Sequence, residues 1–177
     1  MPEIPLLLER SGEAPSVSWG SITWQYYEDS DKVKSSGTGL SLKCTYYKVE
    51  NKNGKEVLTE LSEGALSKGD RIRVRLHFSA DRAMDYVELH FRRPAVLEPV
   101  TTRSGYTYSN GLGYYCSIEN TQTRYYFYRL NKDKYFIDCD LWVAQSGRYT
   151  CGVSTIMCMY APAFIATDNA KTITTNK

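Results

Sequence analysis

The chain has 177 residues, with 22 Lys and Arg against 20 Asp and Glu, a net charge of +2. That balance excludes a basic footprint for nucleic acid and an acidic tail for a charge-driven partner. The length suffices for one domain burying roughly 70% of its unfolded surface, or for one domain with a fragment of another.

Tyrosine is abundant at 15, with five Phe and three Trp, a composition that fits pleated, half-buried surfaces better than helices. Pro2 to Pro15 carries three prolines and a Leu6-Leu7-Leu8 run without a period. Ile4 to Leu8 is too short for a signal-peptide core and no run of about 18 apolar residues follows, so the segment is expected neither to span a membrane nor to direct its own export. Val17 to Tyr27 is rich in strand formers, and Gly20 between Trp19 and Trp24 predicts a bent or bulged strand. Glu28 to Thr38 is charged, contains Ser and Gly, and is apolar only at Val33, the composition of a boundary loop. A domain boundary is therefore expected there, separating residues 1–36 from residues 37–177.

From Gly39 strands are expected at short intervals. Leu40, Leu42, Cys44 and Tyr46 share one parity, and Asn53-Gly54 is a strong hairpin signal because both residues tolerate positive φ. Ile72, Val74, Leu76 and Phe78 alternate strictly with Arg71, Arg73, Arg75 and His77, and Val87, Leu89 and Phe91 repeat the pattern against Tyr86, Glu88 and His90. The stretch between them is too brief for a crossover helix. The two strands are therefore expected to pair as an antiparallel hairpin, with Glu88 opposite His77 and His90 opposite Arg75. Arg93-Pro94 ends that ladder, since proline cannot donate a ladder hydrogen bond.

After Pro99 comes a turn-rich stretch through Ser104-Gly105 and Ser109 to Gly113. Four further strands are expected over Tyr114 to Ile118, Arg124 to Leu130, Tyr135 to Val143 and Arg148 to Tyr160, the last two joined tightly at Gln145-Ser146-Gly147. Ala161-Pro162 stops the last of them, and Phe164 to Ala166 with Thr172 to Thr174 predict one more short hairpin around Asp168-Asn169. No apolar repeat at helical spacing follows a cap. The chain reads as all-β, an antiparallel β-sandwich.

Few constellations point to chemistry. Cys44, Cys116, Cys139, Cys151 and Cys158 form no CxxC pair and stand with only two histidines, so no zinc-ligand spacing exists and small buried thiols are expected. Cys151 and Cys158 fall on opposite parities of one expected strand, so no disulfide joins them. His77, His90, Glu88 and Arg75 read as exposed-strand patterning rather than an acid-base site, which needs a cleft and a shifted pKa. Asp138 and Asp140 share a face and are expected to form a solvated acidic patch, lacking the oxygen count of a calcium site. The glycines of Gly105 to Gly113 are turn glycines, as no Lys-Ser/Thr and helix follow. Tyr106, Tyr108, Tyr114, Tyr115, Tyr125, Tyr126 and Tyr128 read as core and interface residues. The competing reading is a carbohydrate-binding or adhesin-type module stacking sugars on Tyr125 and Tyr128.

Arg93-Pro94-Ala95, Glu98-Pro99-Val100 and Ser104-Gly105-Tyr106 resemble the C-terminal part of the bacterial alpha-2-macroglobulin family, in particular its long Bacteroidetes-type members. Trp19-Gly20 with Trp24-Gln25-Tyr26 resembles a strand ending the domain before the last one. Gly69-Asp70, Asp85-Tyr86-Val87, Gly147-Arg148-Tyr149 and Met159-Tyr160-Ala161-Pro162 resemble successive landmarks of the last domain. Almost the whole chain is covered, and the order and spacing of the motifs carry the likeness. One departure is Ala163, where the family often has an acidic residue.

The resemblance implies a macroglobulin-like sandwich of fibronectin-type-III-like architecture over residues 37–177, with residues 1–36 the closing strands of the preceding domain and a linker. It implies a periplasmic or cell-surface parent, anchored in the membrane, that entraps target proteases as an endopeptidase inhibitor after cleavage of a bait segment. Many members also hold a Cys-Gly-Glu-Gln thioester, and no cysteine of this chain stands in such a motif. The segment itself is then a non-catalytic domain without cofactor or metal, whose partners are the other domains of its parent. Met159 and Tyr160 match a loop that shields the thioester domain in the family.

Overall fold

The computed structural model describes residues 27–61 and 66–176, together with Leu7, Trp19, Gly20 and Ile22. The strands are β1 (Ser36–Gly37), β2 (Leu40–Lys52), β3 (Lys55–Glu60), β4 (Leu66–Ser67), β5 (Arg71–Ala80), β6 (Met84–Arg92), β7 (Leu97–Pro99) and β8 (Gly105–Ser109). They continue as β9 (Leu112–Ile118), β10 (Gln122–Leu130), β11 (Asp133–Val143), β12 (Gly147–Thr150), β13 (Thr155–Cys158), β14 (Ile165–Thr167) and β15 (Thr172–Asn176). Helical geometry among the described residues is confined to a three-residue 3₁₀ turn at Ser30–Lys32.

A seven-stranded sheet runs β1-β14-β13-β6-β10-β9-β8, a five-stranded sheet β3-β2-β5-β11-β7, and a small third sheet β12-β15-β4. Neighbours are antiparallel except β15 and β4, which pair in parallel. The alternation seen in the sequence explains the core. Ile72, Val74, Leu76 and Phe78 of β5, with Leu40, Leu42, Cys44 and Tyr46 of β2, turn inward from one large sheet. Val87, Leu89 and Phe91 of β6, with Tyr125 and Phe127 of β10, belong to the same buried cluster from the other. Phe78 and Phe127 meet at 5.2 Å between ring centroids, bridging the two sheets. Asn53 and Gly54 adopt φ of 55° and 78° and close the β2–β3 hairpin, as their chemistry predicts.

Where chain order was used to choose partners, the structure differs. β5 and β6 do not form a hairpin: they lie in opposite sheets, β5 between β2 and β11 and β6 between β10 and β13. The link between them arches over the end of the core, with Ala80 and Met84 both buried and the Asp81 N–H donating to the Gly39 carbonyl at 3.0 Å. His77 therefore faces Lys43 and Phe136 rather than Glu88, and His90 faces Arg124 and Thr155 rather than Arg75. A period of two reports that one face is buried, but is silent on which strand lies alongside.

The expected strand from Arg148 to Tyr160 is two strands in different sheets, β12 and β13, switching across Cys151 to Ser154. Both Cys151 and Ser154 are buried at the switch, and a Cβ on Gly152 would meet Arg92 Cδ at 2.8 Å. β14 and β15 likewise part into different sheets. Asp168 is buried between them and accepts the Cys44 N–H at 2.8 Å on Oδ2. The turn-rich stretch holds a further hairpin, β8–β9, turned by Asn110-Gly111 at φ of 52° and 76°.

Trp19, Gly20, Ile22 and Tyr27 are not in a strand, and Leu7 and Trp19 are exposed. The rest of the strand expected over Val17 to Tyr27, with Trp24, Leu6 and Leu8, lies outside the described residues. The boundary loop contributes β1, which pairs Ser36 with Thr167 and Gly37 with Ala166.

Candidate functional site

β13 and β14 pair antiparallel, Met157 opposite Ile165, and the loop between them carries Met159, Tyr160, Pro162 and Ala163 at the end of the seven-stranded sheet. The loop is closed by its own backbone. Cys158 N–H donates to the Phe164 carbonyl at 3.0 Å, and Phe164 N–H to the Ala161 carbonyl at 2.9 Å. Proline, lacking an N–H, stands where no ladder bond is needed. Met159 is 44% exposed and Tyr160 79% exposed. Neither closes the end of the core; both project from the sheet. Ala163 is exposed in the same loop.

Behind the loop stands a run of tyrosines. Tyr160 meets Tyr86 of β6 edge-on at 5.2 Å, and Tyr86 meets Tyr128 of β10 at 5.2 Å. Further along the same outer face, Tyr106, Tyr108, Tyr115, Tyr126 and Tyr128 line a shallow depression over β8, β9 and β10. Sugar stacking on Tyr125 and Tyr128 needs both rings on one face. Tyr125 is 3% exposed with its ring in the core and Tyr128 is 73% exposed outside, because their separation of three residues puts them on opposite faces of β10. Burial pushes the Tyr125 hydroxyl well above its ordinary pKa, with Cys139 beside it.

The carboxylates expected to be solvated are instead engaged. Asp140 accepts from Arg73 Nε at 2.6 Å and Nη2 at 2.9 Å, and from Arg71 Nη2. Asp138 receives Arg75 at 2.7 and 2.8 Å, and Glu56 caps the ladder from β3 through Arg71 at 2.7 Å and Arg73 at 3.1 Å. Burial alone would raise the Asp140 carboxyl, but hydrogen bonds from Arg73 and Arg71 hold it below the ordinary carboxylate range. Strand spacing places Arg71, Arg73 and Arg75 on one face, and register places them against Asp138 and Asp140. The ladder thus ties β5 to β11 across the outer face of the five-stranded sheet.

Burial pushes His77 below its ordinary pKa, with Arg75 and Lys43 adding to the shift, and it stands apart from Glu88 in the opposite sheet. His90 Nε2 bonds the Gln122 side chain. The five cysteines are free thiols: burial pushes Cys139 up to about 11 and Cys44 well above its ordinary value, so neither is an activated nucleophile. Among the described residues no cluster of three or more His, Cys, Asp or Glu is arranged to hold a metal ion.

Arg93 and Tyr86, both named from the sequence, have structural parts that their sequence context does not show. Arg93 is buried and donates to Thr123 Oγ1 and to the carbonyls of Glu119 and Asn120, pinning the turn between β9 and β10. The φ of 55° at Tyr86 has no signal in the sequence, because a bulky side chain is not expected at positive φ.

The sandwich is that of a macroglobulin domain. It resembles Salmonella alpha-2-macroglobulin reacted with methylamine at a TM-score of 0.65 and 15% identity, covering 82% of this chain and 10% of that one. Native Escherichia coli alpha-2-macroglobulin spanning domain MG7 to the C-terminus gives 0.63 and 13% identity, covering 81% of this chain and 24% of that one. The trypsin-activated Escherichia coli protein gives 0.65 and 12% identity, over 82% of this chain and 11% of that one. The chain thus spans about a tenth of the Salmonella chain's length. No curated protein matches the chain in sequence. The family model for the bacterial alpha-2-macroglobulin MG10 domain matches residues 39–163, and the chain belongs to that family.

Proposed function

We propose that this chain is the terminal macroglobulin-like domain of a long, Bacteroidetes-type bacterial alpha-2-macroglobulin, and that it serves as a non-catalytic contact domain in a protease-trapping protein. Residues 37–177 form that domain, and residues 1–36 belong to the end of its predecessor and a linker. The parent is extracytoplasmic and held at the membrane, and its target proteases reach this domain only through the parent. Met159 and Tyr160 pack against a neighbouring domain, a thioester domain where the parent carries one, and keep water and stray nucleophiles from the bond.

The observation that carries this reading is the projection of Met159 and Tyr160 from the sheet's end, with Pro162 just beyond. An adaptable thioether and a ring with a polar tip make a contact that excludes water yet can part on activation. In the parent, Met159→Ala with Tyr160→Ala is expected to raise the rate of thioester thiol release before protease cleavage several-fold, with this domain's melting temperature unchanged. An unchanged release rate in a parent shown to hold the thioester overturns the reading.

A further inference from the structure

Tyr86 sits within β6 at φ of 55°, the left-handed region that bulky L-residues avoid. Such a conformation persists only where surrounding contacts hold it. Asp85 and Tyr86 are exposed in succession, breaking the alternation of β6, and Tyr128 and Arg129 break it in step on β10. Tyr86 keeps the outward parity of Glu88 and His90, and Asp85 is the residue that departs from it; the Tyr86 ring faces out while its carbonyl is directed at the segment after β13.

Three contacts converge there. The Tyr86 carbonyl accepts the Met159 N–H at 2.9 Å, one residue beyond the end of β13. The Tyr86 ring meets Tyr160 at 5.2 Å with planes at 88°, the edge-to-face geometry aromatic pairs favour. Its other side meets Tyr128 at 5.2 Å and 74°, so the ring is braced from β10. Backbone and ring of one residue thus fix the backbone of the turn and the direction of its most exposed side chain.

We propose that Tyr86 is the positioning residue of the Met159–Tyr160 turn, holding the Tyr160 ring in its projecting orientation before any partner domain arrives. The functional meaning of this rests on the reading of the turn as an interdomain contact; the positioning itself does not. A contact side chain already held in place loses less conformational entropy on docking than a free one. The braced Tyr128–Tyr86–Tyr160 row also extends the apolar contact face from the hairpin loop onto β10.

Three variants separate the ring from the backbone. Tyr86→Phe keeps the ring, while Tyr86→Asn and Tyr86→Gly remove it yet tolerate the left-handed backbone. Aromatic NMR of the tyrosine-labelled chain, assigned with Tyr160→Phe, reads the ring-current displacement of Tyr160. Tyr86→Phe is expected to retain that displacement, and Tyr86→Asn to return Tyr160 to random-coil positions with the fold intact; Tyr86→Gly serves should the Asn variant not fold. Tyr160 signals unchanged from wild type in a folded Asn or Gly variant overturn the proposal. In the parent, Tyr86→Asn is expected to speed thiol release several-fold, as Tyr160→Ala does. If Tyr160→Ala leaves that rate unchanged while Tyr86→Asn frees the ring, the interdomain reading fails and the positioning role stands.

Discussion

Asp140→Asn removes one charge from the ladder on β5 and β11 while preserving side-chain volume. Asp140 accepts three charge-assisted hydrogen bonds, two from Arg73 and one from Arg71, and all three side chains are less than a third exposed. Each such bond contributes about 1.5–3 kcal/mol. Both arginines keep Glu56, and an amide oxygen still accepts one bond. The net cost is then about 2 kcal/mol, well above the ~0–1 kcal/mol of an ordinary surface pair. For a chain of this size that lowers the melting temperature by about 4–8 °C. The pH dependence gives a second handle. The folded Asp140 carboxyl titrates below its ordinary value, so its contribution is present above the unfolded pKa and lost as pH falls through the folded one. Thermal melts by circular dichroism should show a constant gap between wild type and Asp140→Asn from about pH 5 to 8, closing below about pH 4. A gap that is absent at neutral pH, or that persists unchanged into acid, refutes the assignment of the ladder as a stabilising tie.

Gly39 adopts φ of 71°, and a Cβ there would meet Phe164 Cδ1 at 2.6 Å, so Gly39→Ala should cost about 2 kcal/mol or more by urea titration. Phe127→Ala empties the space between the sheets opposite Phe78 and should cost about 3–5 kcal/mol in the same assay. Thiol titration should find five free thiols after denaturation, with Cys44 and Cys139 unreactive in the native chain; fewer than five would refute the free-thiol assignment. Met159→Ala and Tyr160→Ala in the isolated chain should shift the melting temperature by no more than about 1–2 °C, as exposed positions do.

Much of the fold is legible in the sequence because parity is a local property. Leu40 to Tyr46 and Ile72 to Phe78 announce their buried faces, and Asn53-Gly54 announces its turn, through chemistry that acts within a few residues. Pairing is not local. β5 and β6 look like a hairpin, yet the exposed link Asp81-Arg82-Ala83 crosses from one sheet to the other between the buried Ala80 and Met84. At the break between β12 and β13, Gly152 lies against Arg92 of β6 with no room for a Cβ, a contact between segments distant in sequence. At the candidate site, Met159 and Tyr160 are legible only through family resemblance, since nothing in their spacing separates a projecting turn from a core cap. For Tyr86 the outward face is legible and the left-handed backbone is not, since that conformation is imposed by the strands packed around it.

If Met159 and Tyr160, exposed in this domain, pack against a neighbouring domain, both are covered in the intact parent. Oxidative footprinting read by mass spectrometry measures both side chains directly, in the isolated chain and in the parent before and after protease cleavage. Interdomain packing predicts fast modification in the isolated chain, several-fold protection in the intact parent, and altered protection once cleavage has rearranged the domains. Equal modification of both residues in the isolated chain and the intact parent would contradict it.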